Sequence, residues 1–155
     1  MLEIQNLNKH YGRKPALCVF SFTFKNGIYG LLGPNGAGKS TLMNIISGNL
    51  YGDRDSRLLW NGNDISLLGK AYRSNIGFMP QQQSVYENFT ARRFLMYIAA
   101  LKGIKTKEAL NDTEKLLKTV ELSDVADKKI GSFSGGMKQR ILIAQALLGN
   151  PQLVL

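Results

Sequence analysis

Residues 28–41 of the chain read IYGLLGPNGAGKST. The first part of this stretch is apolar, and Gly33 to Ser40 then fits the pattern glycine, four residues, glycine, lysine and serine or threonine. Leu42, Ile45 and Ile46 follow at helical spacing. The stretch therefore predicts a buried strand over residues 28–32, a phosphate-binding loop, and a helix over residues 39–47.

The residue types of this loop suit a polyphosphate. Glycines let the amide N–H groups turn inward, and the helix beginning near Lys39 directs its positive end to the same place. We expect Lys39 to reach the β and γ phosphates, Ser40 to bind Mg²⁺ and Thr41 to contact the α phosphate. The motif alone leaves ATPases, GTPases and kinases open. The predicted nucleotide contacts in the loop are Gly33, Asn35, Gly36, Ala37, Gly38, Lys39, Ser40 and Thr41.

Composition restricts the class of protein. The chain has 155 residues, 44% of them hydrophobic and 20% charged, as expected of a globular domain. Its net charge of +9 favours an acidic partner, whether nucleotide, nucleic acid or an anionic membrane surface. No apolar run approaches the ~18 residues that cross a bilayer, and the N-terminus lacks secretory-signal features. We expect a cytoplasmic protein without a membrane span. Cys18 alternates with phenylalanines, which predicts a place in the core.

The remaining pattern predicts a mixed α/β fold. Strands are expected over residues 2–7, 16–24, 57–60, 63–65 and 75–79, with an antiparallel start and a last strand from Leu153. One helix is expected from Thr90 to Gly103 and a second from Lys107 to Val120, capped by Thr106. A third follows Ser134 and ends before Gly149. The residues predicted to face inward are Phe94, Ile98, Leu101, Leu110, Leu117, Val120, Ile141, Ala144, Leu147 and Leu148.

Four motifs in this order resemble those of the ATP-binding subunits of ABC transporters, and the resemblance runs over residues 1–155. Besides the phosphate loop they are KHYG at 9–12, GFMPQ at 77–81 and SGGMKQR at 134–140. The resemblance implies a P-loop NTPase of the ABC ATPase type, with antiparallel N-terminal strands in a mixed sheet and a small helical subdomain. It implies that Tyr11 stacks on adenine, worth roughly 1–3 kcal/mol, although spacing alone fits a surface tyrosine equally well.

The same resemblance assigns Gln81 to a loop that touches Mg²⁺ or the attacking water and senses a membrane partner, with a merely polar loop as the alternative. Residues 84–93 would face that partner. Val85, Tyr86 and Phe89 are candidate contacts, with core packing as an equal alternative.

The segment from Ser134 resembles the family signature, with Phe133 in place of leucine and Met137 in place of glutamine. Because Ser134 opens a helix, its hydroxyl and the amides of Gly135 and Gly136 can form a second anion site. The resemblance gives this site to the ATP of a partner subunit in a head-to-tail dimer. With methionine at position 137, the motif resembles that of subunits that are paired with exporters.

The family's later catalytic residues have no counterpart in the sequence. The resemblance places a magnesium-binding aspartate, a catalytic glutamate and a histidine beyond Pro151, and Leu155 lies within the strand that leads to the first. His10 is interpreted as a solvated side chain near the adenine site. We expect that the C-terminal part of the catalytic core is missing, that the chain binds ATP without efficient hydrolysis, and that its uncovered strand edges promote association.

The predicted function is that of an ATP-binding subunit, an ATPase in its full length, coupling ATP binding and hydrolysis to transport, with export favoured. Lys39 and Gln81 are its catalytic candidates, Ser40 and Gln81 its Mg²⁺ ligands. The predicted partners are a second such subunit and a transmembrane permease, which holds the protein at the inner face of the membrane, without nucleic acid. The predicted regions are 1–80, the front of the ATP-binding core; 81–134, the glutamine loop and helical subdomain; and 135–155, the signature helix and next strand.

Two other functions are weighed against this one. A soluble ABC ATPase acting on nucleic acid or ribosomes suits the positive charge, but the modest spacing between Gln81 and Ser134 leaves no room for a long coiled coil. If the chain were a GTPase or a small-molecule kinase, the Ser-Gly-Gly motif at a helix start would be a coincidence. The sequence also has no Asn-Lys-x-Asp motif for recognising guanine.

Overall fold

The computed structural model of the chain describes residues 1–79 and 85–155. Its contacts divide the chain into two compact units, Met1–Arg73 and Ser74–Leu155.

The first unit contains an antiparallel sheet, as predicted. Its strands are β1 (Leu2–Tyr11), β2 (Lys14–Phe24), β3 (Arg57–Trp60) and β4 (Asn63–Asp64), in the order β2-β1-β3-β4. Leu2, Ile4 and Leu7 of β1 are buried. The alternation skips one position because the pairing shifts between Ile4 and Leu7, where Asn6 has a φ of 52°. This irregularity returns Leu7 to the core face.

Helices α1 (Lys39–Ile46) and α2 (Ile65–Leu68) complete the first unit, and α3 (Lys70–Ser74) ends it and includes the first residue of the second. The predicted inward residues of α1, Leu42, Ile45 and Ile46, are buried. The C-terminal end of α1 is held by Tyr72, whose buried hydroxyl donates to the Ile46 carbonyl at 2.6 Å. Burial also raises the pKa of Tyr72, so this hydroxyl keeps its proton.

Two predictions for the first unit are wrong. Residues 28–32 are not a strand: no strand in the described ranges pairs with them, and Ile28 and Leu32 are almost fully exposed. An apolar run becomes a strand only when a neighbour accepts its backbone hydrogen bonds. Cys18 is exposed instead of buried. It lies in β2, at the edge of the sheet, beside a register shift and a left-handed residue, Val19 (φ 47°), which breaks the expected alternation.

The second unit combines helices with a parallel strand pair, β5 (Ile76–Gly77) and β6 (Leu153–Val154). Its helices are α4 (Ala91–Leu101), α5 (Thr106–Thr119) and α6 (Gly135–Leu147). Thr90 caps α4 by accepting the Arg93 N–H. Short 3₁₀ turns span Ser123–Val125 and Ile130–Ser132. The buried apolar core of this unit is formed by Ala91, Phe94, Leu95, Leu117, Val120, Leu122, Ala126, Ile130, Phe133, Ile141 and Ala144.

The helical predictions for this unit fail at particular positions. Leu101 and Leu110 are exposed. Leu101 is the final residue of α4, and the buried stripe of α5 consists of Ala109, Thr113 and Leu117, one position away from Leu110. Two residues of that stripe, Ala109 and Thr113, are small or polar, so a pattern of hydrophobic residues does not reveal it. Thr106 is the first helical residue and not the cap, since the extended N-cap position belongs to Lys105.

Two predicted strands are shorter than expected. The strand predicted over 75–79 is confined to Ile76–Gly77, and the one over 63–65 ends at Asp64. Asp64 accepts the Ser66 N–H and so begins α2 at Ile65.

Candidate functional site

The loop before α1 leaves the positive end of that helix available to an anion. Gly38 is the N-cap, in the left-handed conformation with φ 83°, and its carbonyl accepts the Leu42 N–H at 2.9 Å. Among the described residues no side chain caps α1, and its first turn holds no acidic residue. The first N–H groups of a helix have no partner within the helix. The amides of residues 39–41 are therefore free of competing carboxylates of their own helix, as a phosphate site requires.

Gly38 is also the point where strand β2 supports the loop. A Cβ atom at this position would lie 2.3 Å from the Ala16 carbonyl oxygen and 2.9 Å from Leu17 Cδ2. Gly36 differs, because it has a positive φ of 86° but no described atom would lie within 4 Å of an added Cβ. The motif predicts both glycines, yet only the structure shows that a neighbouring strand requires the one at position 38. Ala16 carries no sequence signal for this role.

Lys39 is oriented by the loop itself. Its ammonium donates to the carbonyls of Gly33 and Pro34, both at 2.7 Å. An ammonium has three N–H donors, so one remains for a ligand. The loop is closed further by the Ala37 N–H, which donates to the Pro34 carbonyl at 3.2 Å. The result is a fixed positive charge beside the N-terminus of α1.

The remaining predicted contacts of the phosphate loop lie in accessible positions. Asn35, Ala37 and Ser40 are exposed, and Thr41 in the first turn of α1 is half-buried. The Ser40 hydroxyl is therefore placed at the helix start, where an oxygen ligand for Mg²⁺ would be needed.

Tyr11 lies at the end of β1 and is 54% exposed, so its ring is accessible. The neighbouring His10 is more constrained than predicted. Its Nδ1 atom lies 2.8 Å from Asp53 Oδ2, and Lys9 Nζ lies 3.6 Å from Asp53 Oδ1. The hydrogen bond to His10 is the main reason that the pKa of Asp53 falls below its ordinary value. His10 therefore ties the end of β1 to the loop that contains Asp53.

The second predicted anion site lies at the N-terminus of α6. Ser134 is the N-cap, and its Oγ accepts the Met137 N–H at 3.3 Å. Ser134, Gly135 and Gly136 are exposed, and the first turn of α6 holds no acidic residue. Met137 packs against the core of the second unit. The methionine side chain therefore supports the helix from the inside, and the glycine amides stay accessible.

Gln81 lies outside the described residues, but Tyr86, Phe89 and Tyr97 further along the chain form an aromatic cluster. The rings of Tyr86 and Phe89 stack at 5.2 Å, and Tyr97 meets both edge-on. Arg93 lies 4.6 Å above the Phe89 ring. Tyr86 is 51% exposed, while Val85 and Phe89 pack against the core. Of the three predicted partner contacts, Tyr86 is thus the one with an exposed ring.

Comparisons with known proteins identify the class of protein as an ATP-binding cassette. Residues 18–155 match the ABC transporter family, and the chain belongs to it. It is 38% identical over its whole length to the linearmycin resistance ATP-binding protein LnrL of Bacillus subtilis, of which it spans 50%. It is 36% identical over 99% of its length to the Nod factor export ATP-binding protein I of Sinorhizobium fredii, of which it spans 45%.

The fold is shared with solved ABC structures. A dimeric post-hydrolysis structure of the cassette MJ0796, bound to ADP and Pi, superimposes with a TM-score of 0.83 and 28% identity, covering 99% of this chain and 72% of that one. The chain thus has the ABC ATPase fold, and it spans about half the length of the curated relatives it matches. Of the helices within 1–79 and 85–155, none is long and apolar enough to cross a membrane.

Proposed function

We propose that residues 1–155 form the nucleotide-binding front part of an ATP-binding subunit of an ABC exporter. The observation that carries this proposal is the phosphate loop, where Lys39 is held by the Gly33 and Pro34 carbonyls beside the uncapped start of α1. These donors match the triphosphate of ATP in charge and in hydrogen bonding.

The residues present also fit Mg²⁺. Ser40 offers its hydroxyl to the ion, Thr41 follows in the first turn, and Tyr11 offers an accessible ring to the base. When bound, Mg²⁺ neutralises charge on the β and γ phosphates. Lys39 then acts as a point charge on the same phosphates, and Gln81 is the proposed contact to the ion or the water.

We propose that the Ser134–Gly136 site serves the ATP of a second subunit. Three features support this: the exposed glycine amides, the Ser134 cap and the absence of acidic residues from the first turn of α6. The dimeric, nucleotide-bound state of MJ0796 is consistent with such an arrangement. In this role the two anion sites of one subunit contact two different nucleotides.

We propose further that a transmembrane permease docks on the exposed side chains of Tyr86, Arg93 and Tyr97 around the Phe89 ring, and these three side chains are hereafter the docking surface. Aromatic rings with an arginine are typical of interface centres, and Tyr86 and Tyr97 are exposed. The permease would hold the subunit at the inner face of the membrane. Export is favoured because the names of two relatives refer to Nod factor export and to linearmycin resistance.

The nucleotide proposal is tested by replacing Lys39 with alanine. We expect the affinity for Mg-ATP, measured by isothermal titration calorimetry, to fall at least ~100-fold, because a charge-assisted contact to phosphate is lost. Lys70→Ala is the matched control, since Lys70 is an exposed lysine of the same unit. Unchanged affinity in Lys39→Ala would refute the assignment of the loop.

We also propose that residues 1–155 bind ATP without efficient turnover, since the resemblance to the family places the general base and the metal-binding aspartate after Pro151. Phosphate release should be slower than in the complete subunit by ~10²–10⁴, the usual contribution of a positioned base. A coupled phosphate assay on both proteins at saturating Mg-ATP measures this ratio. Equal rates would show that this stretch carries its own base.

A further inference from the structure

The chain next to the docking surface is joined by its backbone to the turn that leads into α6. The carbonyl of Glu87 accepts the Gly131 N–H at 2.9 Å, and the carbonyl of Phe89 accepts the Ile130 N–H at 2.9 Å. Thr90 and Lys129 form an antiparallel bridge. Residues 87–90 and 129–131 thus form a short antiparallel pair.

Close packing leaves this pair little freedom to slide. A Cβ atom on Gly131 would lie 3.2 Å from the Glu87 carbonyl oxygen, which is closer than most Cβ contacts, so the two backbones pack closely here. Phe89 on one stretch and Ile130 on the other belong to the same apolar core, as does Phe133. The two stretches are thus joined both by backbone hydrogen bonds and by shared core packing.

A side-chain contact adds a second connection. Glu87 Oε1 lies 2.9 Å from the ammonium of Lys138, which is in the first turn of α6. A cation there is unfavourable with the helix dipole, and the carboxylate offsets this. Lys138 in turn lowers the pKa of Glu87, chiefly through this hydrogen bond. The Glu87 side chain is 66% exposed, so the pair adds little to stability.

We propose that Glu87 is a positioning residue that transmits displacement of the docking surface to the Ser134–Gly136 site. It follows Tyr86 directly in the chain, and it holds Gly131 through its carbonyl and Lys138 through its carboxylate. The Lys138 N–H in turn donates to the Ser134 carbonyl at 2.9 Å. This inference rests on the proposed function, because it needs a permease on one side and a nucleotide on the other.

The test uses the complete ATP-binding subunit with its permease in proteoliposomes. Three quantities are measured: the basal ATPase rate of the isolated subunit, its affinity for the permease, and the stimulation of the ATPase by the permease. For Glu87→Gln we expect stimulation to fall at least fivefold, with the other two quantities within twofold of wild type. Glu108→Gln is the control, since it removes the same charge from an exposed position of α5.

A conservative variant separates loss of the ion pair from misfolding. Glu87→Asp keeps the carboxylate and should keep most of the stimulation, whereas Lys138→Met removes the partner charge and should lose as much stimulation as Glu87→Gln. Tyr86→Ala should behave differently and weaken permease affinity. Full stimulation in Glu87→Gln, or an equal loss of basal rate and stimulation, overturns the inference. If the wild-type subunit shows no permease-dependent ATPase, the proposed function fails instead, and the inference with it.

Discussion

Replacing Gly38 by alanine should lower the affinity for Mg-ATP by more than ~100-fold. The new Cβ would lie 2.3 Å from the Ala16 carbonyl oxygen, which belongs to the backbone of β2 and cannot rotate away. The φ of 83° adds a left-handed cost of roughly 1–2 kcal/mol for a residue with a Cβ. Both effects are relieved only if the start of α1 moves, and that movement displaces the amides and Lys39 from the phosphates. Calorimetric titration with Mg-ATP measures the loss.

Gly62→Ala is the matched control for this substitution. Gly62 has nearly the same φ, 81°, but no described atom lies within 4 Å of an added Cβ, and it is in the turn between β3 and β4. It should lose roughly 1–2 kcal/mol of stability and keep its ATP affinity. If Gly38→Ala bound ATP as tightly as Gly62→Ala does, the contact between β2 and the loop would have no role in binding.

Gly77→Ala should have the largest effect on stability, lowering the free energy of unfolding by about 3 kcal/mol or more. Gly77 is the paired residue of β5, and an added Cβ would lie 1.9 Å from the Ala146 carbonyl oxygen in α6 and 3.0 Å from Pro151 Cγ. The strand cannot retreat without breaking its ladder to β6. Urea unfolding followed by circular dichroism measures the change.

The control for Gly77 is Gly30→Ala, where an added Cβ meets no described atom within 4 Å and φ lies outside the left-handed region. Its free energy of unfolding should stay within about 0.5 kcal/mol of the wild-type value, as for ordinary surface substitutions. A Gly77→Ala protein as stable as this control would show that α6 does not pack against β5 as closely as the geometry indicates.

The sequence was sufficient where the signal is local. The phosphate loop, the helix start at Ser134 and the buried face of α1 all follow from residue types at fixed spacings, and the structure has α1, α4 and α6 beginning where the sequence predicts. The cap at Thr90 was not predicted, and the predicted cap at Thr106 was wrong. The ABC family could be inferred for the same reason, because its motifs are short and occur in a fixed order.

Tertiary structure decided what depends on residues distant in the chain. Residues 28–32 have the composition of a strand but lack a paired neighbour in the described ranges, and Cys18 is exposed where a register shift and the left-handed Val19 break the alternation of β2. The contact that makes Gly38 indispensable comes from Ala16, and the partner of Lys138 is Glu87. Periodicity and motifs report which side of an element is apolar and where a helix starts. They do not report which backbone or carboxylate the folded chain brings against it, since that is set by long-range packing.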